Sequence, residues 1–522
     1  MLMKRKLLLL LFTLYIFIFS SFAEGSVNLY PNGCTGKRAY LLCRNPSTDD
    51  PAQFNVFPTQ GTVKVYAKAG ETLYVGSSVQ GRKISTTGTV NLRSPNGNTY
   101  TSGTSTTVGL IANRTQELNG PKRGTHNSPS YYTPYTHVVT AAEEGIWEID
   151  FIAMETTSTA GEDILADSDW STGTTQTAAT TTCGAMIAAF DVSVGSASDN
   201  ATLVPGRLYT NLFNGSVSGG TFTSPAGYFY GTFYVLTNTG YTYKVQTNGQ
   251  NGYSFGFFAN NKGIQLTNGT PIVTTKPYSY KGGSPSYLSK NFTGFTATAQ
   301  TQMYDPREPD NGIEDINHKL FFAKPGTDLP LSASISYNGK AATTTWLKTP
   351  APQPKMTNLA VIGAEGSGDP IIGPDGTYIT FTSNVQGSYV IWIDVDNNGV
   401  FTDAVDRKIT GDCDTGFNSV GWDGKDGNGT LITSSKAIAL QGKITAGEVH
   451  FPLTDVEVNP NGMIVELTSD DGSFTPVSGK DIVYWNDTGI SKTGTTSNPI
   501  NESAGVSSNT NGHKWEIGRA HV

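Results

Sequence analysis

The chain has 522 residues, a net charge of −8 and only 15% charged residues, and glycine alone contributes 59 positions. No basic stripe interrupts this mild acidity, which argues against nucleic acid as a partner and suits divalent cations better than anionic membranes. The length allows about three to four domains. Alternating Val/Ile/Tyr/Phe runs between Gly, Asn and Pro clusters predict an all-β protein, several β-sandwich domains in tandem.

Residues 1–23 read as a secretory leader. Lys4, Arg5 and Lys6 form a basic start, an apolar run follows to Phe19, and Ser21-Phe22-Ala23 supplies a small-residue cleavage site. The apolar run is short for a bilayer span, and no later stretch approaches the ~20 apolar residues that a membrane helix needs. The protein is therefore expected to be secreted or displayed on the cell surface, and not to be an integral membrane protein in this region. Removing the three leader cations takes the net charge from −8 to −11. Export makes disulfides possible. Cys34 and Cys43 enclose a short loop and are the expected pair, with Cys183 and Cys413 left as buried thiols.

A first sandwich is expected over residues 27–184, with Val63, Val65, Ala67, Leu73, Val75, Val90, Leu92, Trp147, Ile149 and Phe151 alternating inward. The segments GETLYVGSS, VNLRSPNGNTY and EEGIWEIDF resemble the small jelly-roll sandwiches appended to secreted bacterial proteins. Tyr131, Tyr132 and Tyr135 form an aromatic cluster that could stack on sugar rings, although such tyrosines more often pack between loops. Residues 156–182 read as a Thr/Ser/Ala-rich surface insertion.

A second β-rich domain is expected over 185–297, with a hairpin at Asn238-Thr239-Gly240. Gly252-Tyr253-Ser254-Phe255-Gly256 spells G-x-S-x-G, the form of a hydrolase nucleophile elbow. That elbow needs a strand before it and a helix after it, and Phe257-Phe258-Ala259 reads as strand instead, so Ser254 is not assigned a catalytic role. Residues 298–347 form a third, small β-unit whose loop gathers Asp305, Glu308, Asp310, Glu314 and Asp315, with His318 at its edge. Their spacing matches no ligand pattern, and a solvated acidic loop is the expectation. The Pro-rich residues 348–355 are a stiff linker.

The segment 356–490 carries the chemistry. Tyr389, Ile391 and Ile393 alternate in a strand that runs into Asp394, Asp396 and Asn398, followed by Gly399. A hard cation such as Ca²⁺ takes six to eight oxygens, and D-x-D-x-N-G is the first half of a loop that supplies them. The expected ligands are Asp394, Asp396, Asn398 and the Val400 carbonyl, with Asp403 and Asp406 replacing the glutamate that a helical-hand loop would place at Val405. A solvated Asx/Gly turn is the competing reading. Calcium would be the only cofactor, in a structural role.

Further on, Trp422-Asp423-Gly424-Lys425-Asp426-Gly427-Asn428-Gly429 packs three Asx-Gly steps into eight residues. WDGKDGNG is similar to the motif of the immunoglobulin-like domain in flagellar hook-capping proteins, which recurs in large secreted surface and gliding-associated proteins. IDVDNNGVFTDAVDR resembles the calcium-loop segment of the same surface proteins. The resemblance implies an immunoglobulin-like domain in which the motif builds a corner, without a catalytic role.

Residues 491–516 read as the start of a truncated module. The last six residues back-translate to the start of a common sequencing adapter, and are expected to be foreign to the fold. His126, His137, His318, His450 and His513 form no metal-spaced pair. The region is thus expected to be non-enzymatic: a calcium-stabilised adhesin or extracellular structural protein, whose partner is an extracellular polymer or cell-surface ligand. The alternatives are the non-catalytic front of an exported hydrolase and a polysaccharide-binding protein.

Overall fold

A computed structural model describes residues 23–42, 62–81, 88–152, 165–168, 186–217, 227–250, 255–261, 307, 309–312, 316–363, 377–432, 437–454, 459–468, 483–486 and 514–521. The fold is all-β, as the alternation predicts, and it is built from several mainly antiparallel sheets.

The largest sheet runs in the order Thr343–Trp346, Ser332–Ile335, Gly145–Ile152, Thr62–Ala67, Leu208–Thr210, Lys319–Phe321, Thr232–Leu236, Thr242–Gln246 and Ile464–Thr468. Thr62–Ala67 is buried along its whole length because both of its faces are covered. Val63, Val65 and Ala67 join one core with Val90, Trp147, Ile149, Phe213, Phe233, Leu320 and Val465. Tyr66 points the opposite way into a second core with Ile146, Tyr209, Phe321, Ile335 and Trp346. A period of two thus feeds two hydrophobic layers from one strand.

A second sheet runs Tyr484–Asn486, Lys514–His521, Val449–Thr454, Phe255–Phe257, Phe213–Val217, Ala39–Leu42 and Met186–Ile187. A three-stranded sheet, Tyr135–Val138, Thr72–Ser77 and Phe190–Gly195, completes this body. The Lys514–His521 strand contains most of the terminal residues expected to be foreign.

Three expected domains therefore share their sheets. Thr62–Ala67, Leu208–Thr210 and Lys319–Phe321 are consecutive neighbours although they come from the segments 27–184, 185–297 and 298–347. Residues 316–347 contribute three strands to the large sheet itself and are not a separate unit. The pairing that unites them joins residues more than a hundred positions apart, which local periodicity does not encode.

The linker at 348–355 does mark a change. Residues 356–445 form two three-stranded sheets: Met356–Gly363, Thr377–Ser383 and Gly416–Trp422 in one; Arg407–Cys413, Gly387–Asp394 and Ala439–Thr445 in the other. They enclose their own core of Ile379, Phe381, Tyr389, Ile391, Ile393, Cys413 and Trp422. Immediately afterwards Val449–Thr454 pairs with Phe255–Phe257, and Ile464–Thr468 with Thr242–Gln246. The sandwich is thus an insertion into the body, and it ends at Thr445, well short of the expected boundary at 490.

Candidate metal centre

Gly387–Asp394 pairs antiparallel with Arg407–Cys413, the last rung joining Ile393 to Arg407. That register puts Asp394 and Asp406 opposite each other at the mouth of the hairpin, one residue beyond the rung. Tyr389, Ile391 and Ile393 face the core as expected, and Asp394 at the strand end is fully buried.

Beyond the rung the loop turns back on itself, with Asn397 and Gly399 at positive φ (56° and 84°). Carboxylate oxygens of Asp394, Asp396 and Asp406 come within 4.8 Å of one another. Asp394 accepts the backbone N–H groups of Asn398 (3.2 Å) and Gly399 (2.8 Å). Asp406 accepts those of Val395 (3.0 Å) and Asp403 (2.9 Å). These four bonds fix two of the three carboxylates by main-chain geometry.

The loop's polar side chains converge as well. Asn398 Nδ2 donates to Asp396 (3.0 Å) and to Asp403 (2.8 Å), while its Oδ1 accepts from Val400 N (2.7 Å). The Asn398 amide stands among carboxylates where its nitrogen supplies partial positive charge, and a half-turn of the amide would present its oxygen instead. Asp403 reaches the group through Asn398. Val400 lies on the exposed outer turn, 47% accessible, with its N–H turned to Asn398.

Electrostatics follow from this crowding. Burial works to raise the Asp394 carboxyl, but the N–H donors of Gly399 and Asn398 outweigh it and hold it below the usual aspartate value. Asp396 goes the other way, raised by desolvation and by Asp394 beside it. An all-oxygen set with two carboxylates held by backbone donors and one exposed is chemistry for a hard cation that keeps part of its water. It does not suit a soft metal, for which the site offers neither sulfur nor imidazole.

The WDGKDGNG segment braces this loop. Trp422 is buried, and its Nε1 donates to Lys425 O (3.1 Å); Asp426 Oδ1 accepts from Asn428 N and Thr430 N. Gly427 N donates to Val405 O (2.9 Å). A β-carbon on Gly427 would sit 2.3 Å from Asp406 O and 2.4 Å from Ala404 O, so only glycine allows this approach. Nothing in the sequence pattern of either motif indicated that the two loops touch.

Other expected sites fare differently. Tyr132 is fully buried and its ring fills the space over Gly76, so it is a core residue rather than a sugar platform. Tyr131 hydrogen-bonds His126 (2.9 Å), and Tyr135 packs on the main core. Cys34 is a free thiol, and its expected partner Cys43 lies outside the described residues, as do Cys183 and Ser254. Cys413 is buried and free, as expected. Of the acidic loop, Asp310 is buried and accepts from Trp346 Nε1 (2.7 Å), Gly312 N and Asn317 N, a structural role. Asp305, Glu308, Glu314 and Asp315 lie outside the described residues. So does most of 156–182, though Asp167 within it accepts from Arg114 and Gly33 N.

Compared with known protein families and with curated proteins, the chain matches none. Among solved structures, a DUF4785 family protein from Legionella pneumophila is similar over 75% of this chain and 81% of its own, at 8% identity and a TM-score of 0.13. A superposition that weak carries no argument about fold or function.

Proposed function

We propose that this chain is an exported surface or extracellular-matrix protein of the adhesin kind, in which Ca²⁺ bound at Asp394, Asp396 and Asp406 stiffens the inserted sandwich. The observation that carries the reading is the convergence of those three carboxylates at the mouth of one hairpin. Asn398, which donates to Asp396 and Asp403, borders the set and would offer its oxygen after a half-turn of the amide. Export is supported by the leader pattern of residues 1–23. Among the described residues no helix is long and apolar enough to cross a membrane. The resemblance of WDGKDGNG and IDVDNNGVFTDAVDR to segments of secreted surface proteins points the same way, and the partner would be an extracellular polymer or cell-surface ligand.

The ion would act as a strut, not a catalyst. Joining the 394–398 and 403–406 arms of the loop, it would favour the folded hairpin over the unfolded chain by mass action, by about 2.7 kcal/mol at a hundredfold excess over Kd. Calorimetric titration of Ca²⁺ into the chelator-treated protein should show one site, with a rise in the melting temperature of the sandwich. Asp394→Ala combined with Asp396→Ala should remove both. Identical melting curves with Ca²⁺ and with chelator would overturn the proposal.

A further inference from the structure

Residues 24–26 are each bonded to the body. Glu24 O accepts Val192 N (2.8 Å), Gly25 bridges Asp191, and Ser26 Oγ accepts Phe190 N (3.1 Å). Glu24 itself is 1% exposed, and its carboxylate accepts three backbone N–H groups, from Gly206 (2.7 Å), Arg207 (2.9 Å) and Leu208 (3.2 Å).

Its main-chain nitrogen faces a second buried acid. Glu24 N donates to Ser193 Oγ (3.1 Å), and Ser193 Oγ donates to Asp191 Oδ1 (2.5 Å). Asp191 is 3% exposed. Its surroundings are Ser193, the buried Tyr132 hydroxyl, the Glu24 carboxylate and, more distantly, Arg123. Arg123 spends its guanidinium on the carbonyls of Ala201 and Pro121, and Arg207 spends its own on Glu71, Asp328 and Tyr66 O. Among the described residues, no Lys, Arg or His pairs with Glu24 or Asp191. Two buried carboxylates thus share one corner with no direct ion-pair partner, Arg123 and Arg207 acting on them only through space, an arrangement that is costly unless both are neutralised.

We propose that cleavage of the Ala23–Glu24 bond supplies the missing cation: the new α-ammonium of Glu24 stays where its amide nitrogen now lies and pairs with Asp191 through Ser193. The inference rests on reading residues 1–23 as a leader. Hydrolysis by a leader peptidase adds one water across the amide, leaving a carboxylate on Ala23 and an ammonium on Glu24. Ala23 and Glu24 are each 1% exposed in the fold, so the cut precedes the closing of this corner. With the bond intact, burial foremost pushes Asp191 up to about 8, and burial pushes Glu24 up to about 7 against its backbone donors and the Arg207 charge. Those directions are what a corner short of positive charge produces. The leader's removal would then be coupled to the stability of the mature fold, and a chain that escaped processing would fold less firmly.

The test compares two forms of the full chain, released from a fusion so that one begins at Glu24 and the other at Ala23. The Glu24 form should melt about 3–6 °C higher at pH 7. The paired amine has a pKa above the value of about 8 for a free α-amino group. Its contribution is therefore fully present below pH 8 and fades as pH rises through the raised value. Asp191→Asn should erase the difference. Should that variant fail to fold, reductive methylation of the unmutated Glu24 form decides: its α-amine should resist methylation in the folded protein and react once unfolded. Equal melting of the two forms, or an α-amine that reacts as fast as surface lysines, would overturn the ion pair. N-terminal sequencing of the exported protein checks the leader separately, since a start other than Glu24 removes the maturation step whatever the melting curves show.

Discussion

Lys319 is 2% exposed, with its ammonium 3.2 Å from the centroid of the Trp346 ring and 5.6 Å from that of Tyr209. Burial pushes its pKa down to about 7 from an ordinary 10.5, with Asp310 pulling the other way. Between pH 7 and 10.5 the unfolded chain holds this proton more tightly than the folded one, so stability rises with pH across that window. Lys319→Met keeps the apolar stem over the rings and removes the charge. It should flatten the rise in melting temperature between pH 7 and 10 while leaving the protein at least as stable at pH 6–7. Retention of the full slope in the variant would place its origin elsewhere. Glu143 shifts in the same direction for the opposite reason, because here the fold favours the charged form. Burial works to raise it, but hydrogen bonds from Tyr100, His137 and Thr140 bring it down to about 2 from 4.5. Its contribution is therefore complete above pH 4.5 and is lost as pH falls towards 2. Glu143→Gln should melt lower than the parent at pH 7, and the two curves should converge in acid. Neither residue was legible from sequence, because burial of a charge is decided by which layers stack on its face of the sheet.

At the scale of elements, the centre is one hairpin and the corner that braces it. The strand Gly387–Asp394, its inward face and the gathering of Asp394 with Asp396 were readable from period-two alternation followed by acidic residues at every second position. Asp406 was readable only as a nearby candidate, since its place opposite Asp394 comes from the pairing of Ile393 with Arg407. The contact between WDGKDGNG and the acidic loop was not readable, because two strands, Arg407–Cys413 and Gly416–Trp422, lie between Asp406 and Gly427. Gly427→Ala tests that contact. An added β-carbon must push away the carbonyls of Ala404 and Asp406, an overpacking cost of about 1–3 kcal/mol. Because those carbonyls belong to the 403–406 arm, Ca²⁺ affinity should fall together with the melting temperature of the sandwich. Gly421→Ala is the control, as a β-carbon there meets nothing within 4 Å. A Gly427→Ala protein that binds Ca²⁺ as the parent does would separate the corner from the centre.

Across the whole molecule, the division into body and insert follows from where hydrogen bonds cross. Turn-rich composition and a Pro-rich stretch signalled the entry to the insert at 348–355, but its exit carries no comparable punctuation. What fixes the exit is long-range pairing of Val449–Thr454 and Ile464–Thr468 with strands two hundred residues earlier. Both crossings are tied to one hairpin of the body: Tyr241 Oη donates to Pro352 O (2.6 Å), and Tyr243 Oη donates to Gly447 O. Residues two apart on a strand point to the same face about 7 Å from each other, so the chain leaves and re-enters the body at nearby points. A chain in which residues 356–445 are replaced by a four-residue Gly/Ser linker has ample reach to close that gap. The body keeps both of its cores in such a chain, since neither draws a residue from the insert. It should therefore fold and melt within about 3 °C of the corresponding transition in the full protein. It should also lose all response to Ca²⁺, because every proposed ligand leaves with the insert. An excised chain that is unfolded by circular dichroism would mean that the body depends on the sandwich, and one that still binds Ca²⁺ would move the centre out of the 394–406 loop.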